Sequence, residues 1–235
     1  MKKISVVIPA YNEERYIGAT LDALLRQDFN REDFEIIVVD NASDDLTASV
    51  ANVHGADRVL SEMRRGTNRA RQTGVEASEG EIIAFLDADC SPGPQWLSRI
   101  WEYFQQDRTR MVAVAGPYEY TDDPRLHFMI FQRIAWRVVF PLVSVVMGRM
   151  FGRGGVMLGG NFATPRKHLD SLHGLDTTYE FFGDDASIAR SFGKIGYVKL
   201  DSSLTVESSA RRYQREGLIH TNWNYITNYF KVMMR

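Results

Sequence analysis

The chain has 235 residues, of which 44% are hydrophobic and 25% are charged, and its formal net charge is −2. This composition is typical of a soluble globular protein rather than a disordered or membrane-spanning one, and the near-neutral charge gives no sign of a nucleic-acid partner. Cys90 is the single cysteine, which excludes an intramolecular disulfide and a multi-cysteine zinc site. We expect a protein of the reducing cytoplasm without a secretory signal.

The first half of the chain alternates strand-like and helix-like segments. Apolar, mostly β-branched runs predict strands at 4–8, 35–40 and 81–86, with a short edge strand at 58–60. The spacing of Ile17, Leu21, Leu24 and Leu25 predicts a helix after the first strand, and further helices are expected at 67–78 and from Pro94. This rhythm predicts an α/β fold with a mostly parallel central sheet flanked by helices.

The second half has a less regular pattern. We predict a strand at 111–120, a mostly apolar helix at 125–147, a glycine-rich loop, a helix that opens at Asp184, and strands at 197–200 and 203–208. An aromatic-rich helix closes the chain. Residues 1–210 are interpreted as one domain, and residues 211–235 as a C-terminal helical extension.

Polar residues follow the predicted parallel strands, where ligands of such sheets bind. The fourth strand ends on Asp87 and Asp89, whose side chains point the same way in an extended segment. Two neighbouring carboxylates disfavour each other's ionisation unless a cation lies between them. Mg²⁺ or Mn²⁺ with phosphate oxygens would satisfy them. The alternative is that the two acids cap the following helix.

Five stretches resemble, in order, the signature blocks of the family 2 glycosyltransferases: VVIPAYNEE, IIVVDNASDD, RARQTGVEASEGEIIAFLDADC, GGNFA and GDDASIARS. They extend over roughly residues 4 to 195, which is most of the chain. The resemblance implies a single GT-A (Rossmann-like) domain that moves a sugar, with inversion, from a nucleotide-diphospho-sugar of UDP or GDP type. It also implies a glycan or lipid-linked acceptor, as in polysaccharide, glycolipid or cell-envelope glycan synthesis.

The same resemblance implies roles for individual residues. Asp89 would be the direct ligand of Mn²⁺ or Mg²⁺, with Asp87 near the ribose and the metal, and Asp185 would be the general base beside Asp184. Gly160 and Asn161 belong to the acceptor-side block. The nucleotide-sugar side would comprise Pro9, Ala10, Tyr11, Glu13, Asp40, Asn41, Arg71, Asp87, Ala88 and Asp89.

Most of these residues have a simpler structural interpretation. Tyr11 could cover the core, Asp40 and Asn41 could cap a helix, and Arg71 could pair with a surface acid. Asp184 and Asp185 could be first-turn acids, which the helix dipole favours.

The sequence also departs from the family pattern. Asp184 stands where a glutamate is usual, ARN is replaced by ARQ, and Glu207 and Ser208 occupy the region after the last core strand where several relatives have a histidine. Arg211 and Arg212 could reach the diphosphate from there, although a mobile, solvated segment is the alternative.

Residues 125–153 combine large apolar side chains with five arginines and no acid. The longest apolar run is too short to cross a bilayer. The segment therefore suggests contact with an anionic membrane surface, and peripheral attachment to the inner face of the cytoplasmic membrane. The alternatives are a helix packed on the sheet and a homodimer interface.

Three other functions share features with this sequence. A sugar nucleotidyltransferase would need a glycine-rich first turn, which IPAYNEE does not provide, and a haloacid dehalogenase phosphatase would carry its Asp-x-Asp after the first strand. A noncatalytic module that binds nucleotide-sugars or lipids has the same fold. Turnover of a donor, abolished by Asp185→Asn, would separate an enzyme from such a module.

Overall fold

The computed structural model describes residues 2–106, 110–123, 159–179 and 183–233, together with positions 125, 128, 130, 134, 138 and 142. A seven-stranded sheet forms the centre of the described part. Its strands are β1 (Ile4–Ala10), β2 (Phe34–Asp40), β3 (Arg58–Ser61), β4 (Ile82–Leu86), β6 (Met111–Ala115), β8 (Asn161–Pro165) and β9 (Tyr197–Leu200). They lie in the order β3-β2-β1-β4-β8-β6-β9. β3, β2, β1 and β4 pair in parallel, whereas β8 is antiparallel to both β4 and β6.

A smaller sheet lies next to the carboxyl end of β4. It consists of β5 (Cys90–Pro92), β10 (Val206–Ser208) and β7 (Tyr118–Tyr120), with β10 in the middle. β10 pairs antiparallel with β5 and parallel with β7. This sheet brings the chain after β9 back to the segment that carries Asp87 and Asp89.

Eight helices surround the sheets in the described ranges. They are α1 (Ile17–Leu25), α2 (Thr47–Val53), α3 (Thr67–Ala77), α4 (Trp96–Gln105), α5 (Arg166–Ser171), α6 (Asp184–Phe192), α7 (Arg211–Glu216) and α8 (Leu218–Met233). Short 3₁₀ turns occupy Arg31–Asp33 and Ser202–Leu204.

The core lies on both faces of the large sheet. One cluster joins α1 and α4 to the side chains of Val6, Ile36 and Ala84, and the other joins α6 to Val7 and Phe85. Successive strand residues point to opposite faces, so a strand buried on both faces is apolar at most of its positions. This requirement explains the uninterrupted apolar runs of β2 and β4.

The structure confirms the predicted mixed α/β class and most strand positions, and it corrects three details. The helix expected at Pro94 begins at Trp96, and the strand expected at 203–208 begins at Val206 after a 3₁₀ turn. The strand expected at 111–120 is two strands in different sheets, because Gly116 and Pro117 separate them and proline cannot donate to a ladder.

The predicted apolar helix at 125–147 falls mostly outside the described residues, as does most of the glycine-rich loop. Across the ranges that the structure does describe, no helix combines the length and the hydropathy needed to span a bilayer.

Candidate active site

The turn after β4 places its two acids at the carboxyl edge of the parallel strands. The backbone N–H of Asp87 donates to the carbonyl of Gly160 at 2.9 Å, and the Asp87 carbonyl accepts from Cys90 at 3.1 Å. Ala88 is buried between them and accepts from the Thr20 hydroxyl at 2.8 Å. Because α4 begins only at Trp96, neither acid caps it. The backbone therefore presents both carboxylates to the sheet edge.

Arg71 is the centre of one charged cluster. Its side chain is only 2% exposed, and its guanidinium lies 3.2 Å from Asp87, 3.2 Å from Asp184 and 4.0 Å from Asp185. Asn68, one turn earlier on α3, also accepts from it at 3.2 Å. Arg71 therefore does not pair with a surface acid. It joins the end of β4 to the first turn of α6, and we call Arg71, Asp87, Asp184 and Asp185 the Arg71 cluster.

Asp184 and Asp185 lie in the first turn of α6, which confirms the predicted helix start. Desolvation raises the pKa of Asp185 to about 8, and the charge of Asp184 adds to this shift while Arg71 opposes it. The backbone N–H of Gly159 also hydrogen-bonds to Asp185 and favours its charged form. Asp185 is therefore a carboxyl group that can exchange a proton near neutral pH.

Gly159 and Gly160 pack directly against the carboxylates. A Cβ atom on Gly159 would lie 1.9 Å from an Asp185 oxygen, and one on Gly160 would lie 1.7 Å from an Asp87 oxygen. No real Cβ contact is that short, so this turn requires glycine at both positions if the acids are to keep their places. Tyr118 completes this side by donating to Asp87 at 3.2 Å.

Arg211 is the centre of a second charged cluster. It donates to both carboxylate oxygens of Glu13, lies 3.2 Å from Asp89, and has its guanidinium 4.4 Å from the centre of the Tyr16 ring. Burial, with help from Asp87, raises the pKa of Asp89 to about 7, and Arg211 opposes that shift. We call Arg211, Glu13 and Asp89 the Arg211 cluster.

Of the two interpretations of Arg211, the structure favours the one that places it near the acidic turn, because its guanidinium pairs with Glu13 and Asp89. Asp122 holds the start of α7, since the Ala210 N–H donates to it at 2.7 Å and the Ser209 hydroxyl at 2.8 Å. The C-terminal extension, predicted from residue 211, thus supplies a side chain to the acidic turn.

The nucleotide side lies at the ends of β1 and β2. Tyr11 is exposed, with the Arg65 guanidinium 4.1 Å from its ring centre, so it does not cover the core. Pro9 and Ala10 end β1, and Asp40 ends β2, where it accepts from the Ser43 N–H at 3.3 Å.

Asn41 is buried rather than positioned as a helix cap. Its amide donates to the carbonyls of Glu62 and Arg64 at 2.8 and 2.9 Å and accepts from Gly66 at 2.8 Å. Asn41 thereby fixes the loop that carries Arg65 beside Tyr11.

Asn161 follows Gly160 in the sequence, but its side chain contacts none of the site acids in the described structure. The buried amide accepts from the Trp96 indole at 3.0 Å and donates to the Leu204 carbonyl at 2.7 Å. Its neighbour Gly160 does meet Asp87. The structure therefore gives Asn161 a supporting position behind the site, between α4 and the 3₁₀ turn.

The residues present fit a divalent cation in part. Asp87 and Asp89 offer the hard oxygen donors that Mg²⁺ and Mn²⁺ prefer, and Asp89 is a mostly buried acid whose charged form a nearby cation would stabilise. No group of three or more His, Cys, Asp or Glu side chains forms a metal site within the described residues. A metal here would therefore take its remaining ligands from phosphate and water.

Comparison with solved structures identifies the class of fold. Glucosyl-3-phosphoglycerate synthase from Mycobacterium tuberculosis, solved with Mn²⁺ and UDP, superposes with a TM-score of 0.67 at 22% identity, over 99% of this chain and 80% of that one. Mannosyltransferase PcManGT from Pyrobaculum calidifontis, solved with GDP-Man and Mn²⁺, gives 0.67 at 20% identity, over 99% and 68%. The fold is the GT-A fold of nucleotide-sugar glycosyltransferases, as the sequence predicted.

The family follows from the sequence match. The model of "Glycosyl transferase family 2" matches residues 5–155, which is more than half of the chain, and the chain belongs to that family. Glycosyltransferase AglE of Haloferax volcanii is 41% identical over 101 residues, covering 41% of this chain and 33% of AglE. Poly(ribitol-phosphate) beta-N-acetylglucosaminyltransferase TarS of Staphylococcus aureus is 35% identical over 94 residues, covering 38% and 16%. The matched part is thus a third or less of these relatives.

Proposed function

We propose that this protein transfers a sugar from a nucleotide-diphospho-sugar to an acceptor hydroxyl, with inversion at the anomeric carbon. The observation that carries the proposal is the Arg71 cluster. Arg71 contacts both Asp87, in the acidic turn where we expect the diphosphate, and Asp185, where we expect the acceptor. An enzyme that joins a donor to an acceptor needs these two kinds of group held in one geometry.

Asp185 is the proposed general base. It takes the proton from the acceptor hydroxyl as the oxygen attacks the anomeric carbon on the face opposite the leaving diphosphate. One base suffices for a single displacement, and its pKa of about 8 suits a base that works near neutral pH. Arg71 keeps the carboxylate oriented by its position between Asp184, Asp185 and Asp87.

Asp87 and Asp89 are the proposed holders of the metal and the diphosphate. A bound Mg²⁺ or Mn²⁺ would supply Lewis-acid stabilisation of the charge that develops on the leaving phosphate. Tyr11, with Arg65 packed on its ring, is the proposed platform for the nucleobase, and Asp40 is the proposed group that hydrogen-bonds to it. Gly160 would line the acceptor side next to Asp87. The proposed role of Asn161 there is indirect, through the turn that it supports.

The donor and acceptor classes are also part of the proposal. The two solved relatives described above carry UDP or GDP-Man with Mn²⁺, and we propose a UDP- or GDP-sugar for this chain. We also propose a glycan or lipid-linked acceptor, in polysaccharide, glycolipid or cell-envelope glycan synthesis; among the relatives described above, the name of TarS gives a polymeric acceptor, poly(ribitol-phosphate).

The test combines binding and turnover. A thermal-shift panel of UDP, GDP, dTDP and CDP, with and without Mn²⁺, is expected to give one metal-dependent rise that Asp89→Ala removes. A ligand at about a hundred times its dissociation constant adds about 2.7 kcal/mol of stability. Asp185→Asn should keep that rise and lower transfer by about 10²–10⁴-fold. Binding without turnover of any donor would favour the noncatalytic module, and no binding at all would refute the proposal.

A further inference from the structure

The last helix carries an exposed apolar stripe. Ile219, Trp223 and Ile226 are 86%, 65% and 52% exposed, and their spacing of four and three residues places them on one face of α8. The helix is attached elsewhere, since Val232 and Thr221 are buried and Arg190 of α6 donates to the Val232 carbonyl at 3.3 Å. α8 therefore packs on α6, which carries Asp185, and leaves a different, apolar face uncovered by the rest of the described chain.

A second exposed apolar set lies on the neighbouring segment. Ile130, Ile134, Val138 and Leu142 are all exposed and recur at every fourth residue. Phe128, two residues before Ile130, adjoins the C-terminal helices, because its ring lies 5.1 Å from that of Tyr213 on α7. We call the side chains of Ile219, Trp223, Ile226, Ile130, Ile134, Val138 and Leu142 the apolar surface.

The two stretches of sequence that contribute the apolar surface are strongly basic. Residues 125–153 carry five arginines and no acid, and residues 211–235 carry five basic residues and Glu216 as the one acid. These stretches together have a formal charge of +9, so the remaining residues must carry −11 to give the total of −2. α8 itself contains no Asp or Glu.

These two properties identify the kind of partner. Apolar side chains on a helix among basic residues are typical of a helix that lies in the interface of a membrane with anionic lipids, and Trp is favoured at that depth. A second copy of the chain fits less well. A two-fold dimer through this face would bring two segments of like charge together.

We propose that the apolar surface docks on an anionic phospholipid bilayer, with α8 lying in the plane of the interface. Because α8 packs against α6, the membrane would lie beside the acceptor side of the site, where a lipid-linked hydroxyl would arrive. That last consequence rests on the proposed function, whereas the docking does not. Membrane binding can therefore be tested without any turnover.

The experiment is co-sedimentation of the full chain with vesicles of phosphatidylcholine alone and with about 30% phosphatidylglycerol added. We expect binding to the anionic vesicles that weakens with added salt, because the basic residues are screened. Ile219→Ser should weaken binding about tenfold, as expected for one apolar side chain that leaves the bilayer. Ile219→Ser with Trp223→Ser should weaken it further.

Val53→Ser is the matched control. Val53 is 84% exposed on α2, nearly the same as Ile219, but it lies outside both basic stretches. Its substitution should leave vesicle binding unchanged, and circular dichroism should show all variants folded. No binding of the wild type to anionic vesicles at low salt would overturn the proposal, as would equal losses in Ile219→Ser and Val53→Ser. Self-association without lipid that disappears in Ile219→Ser would overturn it in favour of a contact between copies.

Discussion

The Arg71 cluster and the Arg211 cluster differ in burial although they use the same chemistry. Each consists of one arginine and the acids that it contacts, and each takes one acid from the Asp87–Asp89 turn. Arg71 is 2% exposed and lies among three carboxylates, whereas Arg211 is 38% exposed and holds two. A buried ion pair is costly to break, while a partly exposed pair is easily exchanged for another partner. The Arg71 cluster is therefore a permanent structural contact, whereas the ion pairs of the Arg211 cluster can be exchanged for other partners.

The largest effect is expected for Arg71→Ala. Removal of the buried cation leaves Asp87, Asp184 and Asp185 facing one another, which should cost about 3–5 kcal/mol of unfolding free energy. Urea denaturation measures this directly. Arg69→Ala is the matched control on the same helix, because Arg69 is only partly buried and has no ion pair within the described residues. Equal losses of unfolding free energy in the two variants would show that the Arg71 cluster is not a stabilising structural contact.

The next effect concerns the glycine turn beside the Arg71 cluster. Gly160→Ala puts a Cβ atom where Asp87 lies, so the acid must move away from Arg71 and from the donor. A displacement of this size near the reacting groups should lower transfer by about a hundredfold. Gly93→Ala is the control, since nothing lies within 4 Å of a Cβ there. Equal kcat/KM for the two variants would contradict the proposed position of Asp87.

A smaller effect is expected from Asp184→Asn, which tests whether Asp184 tunes its neighbour Asp185. The negative charge of Asp184 contributes to the raised pKa of Asp185. Transfer by a carboxylate base should be lost as the pH falls through that pKa of about 8. Asp184→Asn removes the repelling charge, lowers the pKa of Asp185 and should move the acid limb of the pH–rate profile to lower pH. An acid limb that stays in place would show that Asp184 does not tune the base.

The smallest effect is expected at the Arg211 cluster. In Arg211→Gln the positive charge no longer competes for Asp89, so Mn²⁺ should bind several-fold more tightly in the absence of nucleotide. Free Mn²⁺ is measured by electron paramagnetic resonance, with Arg215→Gln as the control because Arg215 pairs with Glu216 on the surface. Unchanged or weaker Mn²⁺ binding would mean that Arg211 supports the metal site instead.

Sequence patterns predicted the parallel half of the fold because burial on both faces leaves a continuous apolar run that has few other interpretations. The same patterns did not separate β6 from β7, whose break lies at Gly116 and Pro117, where Gly116 also packs against the Leu204 carbonyl of a distant segment. Periodicity describes one segment at a time, so a contact of this kind is not visible in it.

As with the fold, only part of the candidate site was predictable from the sequence. The acidic turn and Asp185 were identified by ordered motifs, and the structure places them on the same arginine. The partner of Glu13 was not predictable, since 198 positions separate it from Arg211 and no local pattern indicates which acid an arginine will meet. Asn161 was assigned by resemblance to the acceptor side, whereas its amide is engaged by Trp96 and Leu204.

Cys90 gives the protein a practical property. The thiol is buried in β5, and burial raises its pKa well above the ordinary value, so the reactive thiolate is scarce while the fold is intact. Since the chain has no other cysteine, a thiol introduced on the surface, for example by Val53→Cys or Trp223→Cys, would be the only one open to alkylation. A spin label or fluorophore can therefore be attached at one chosen position without first removing a native cysteine.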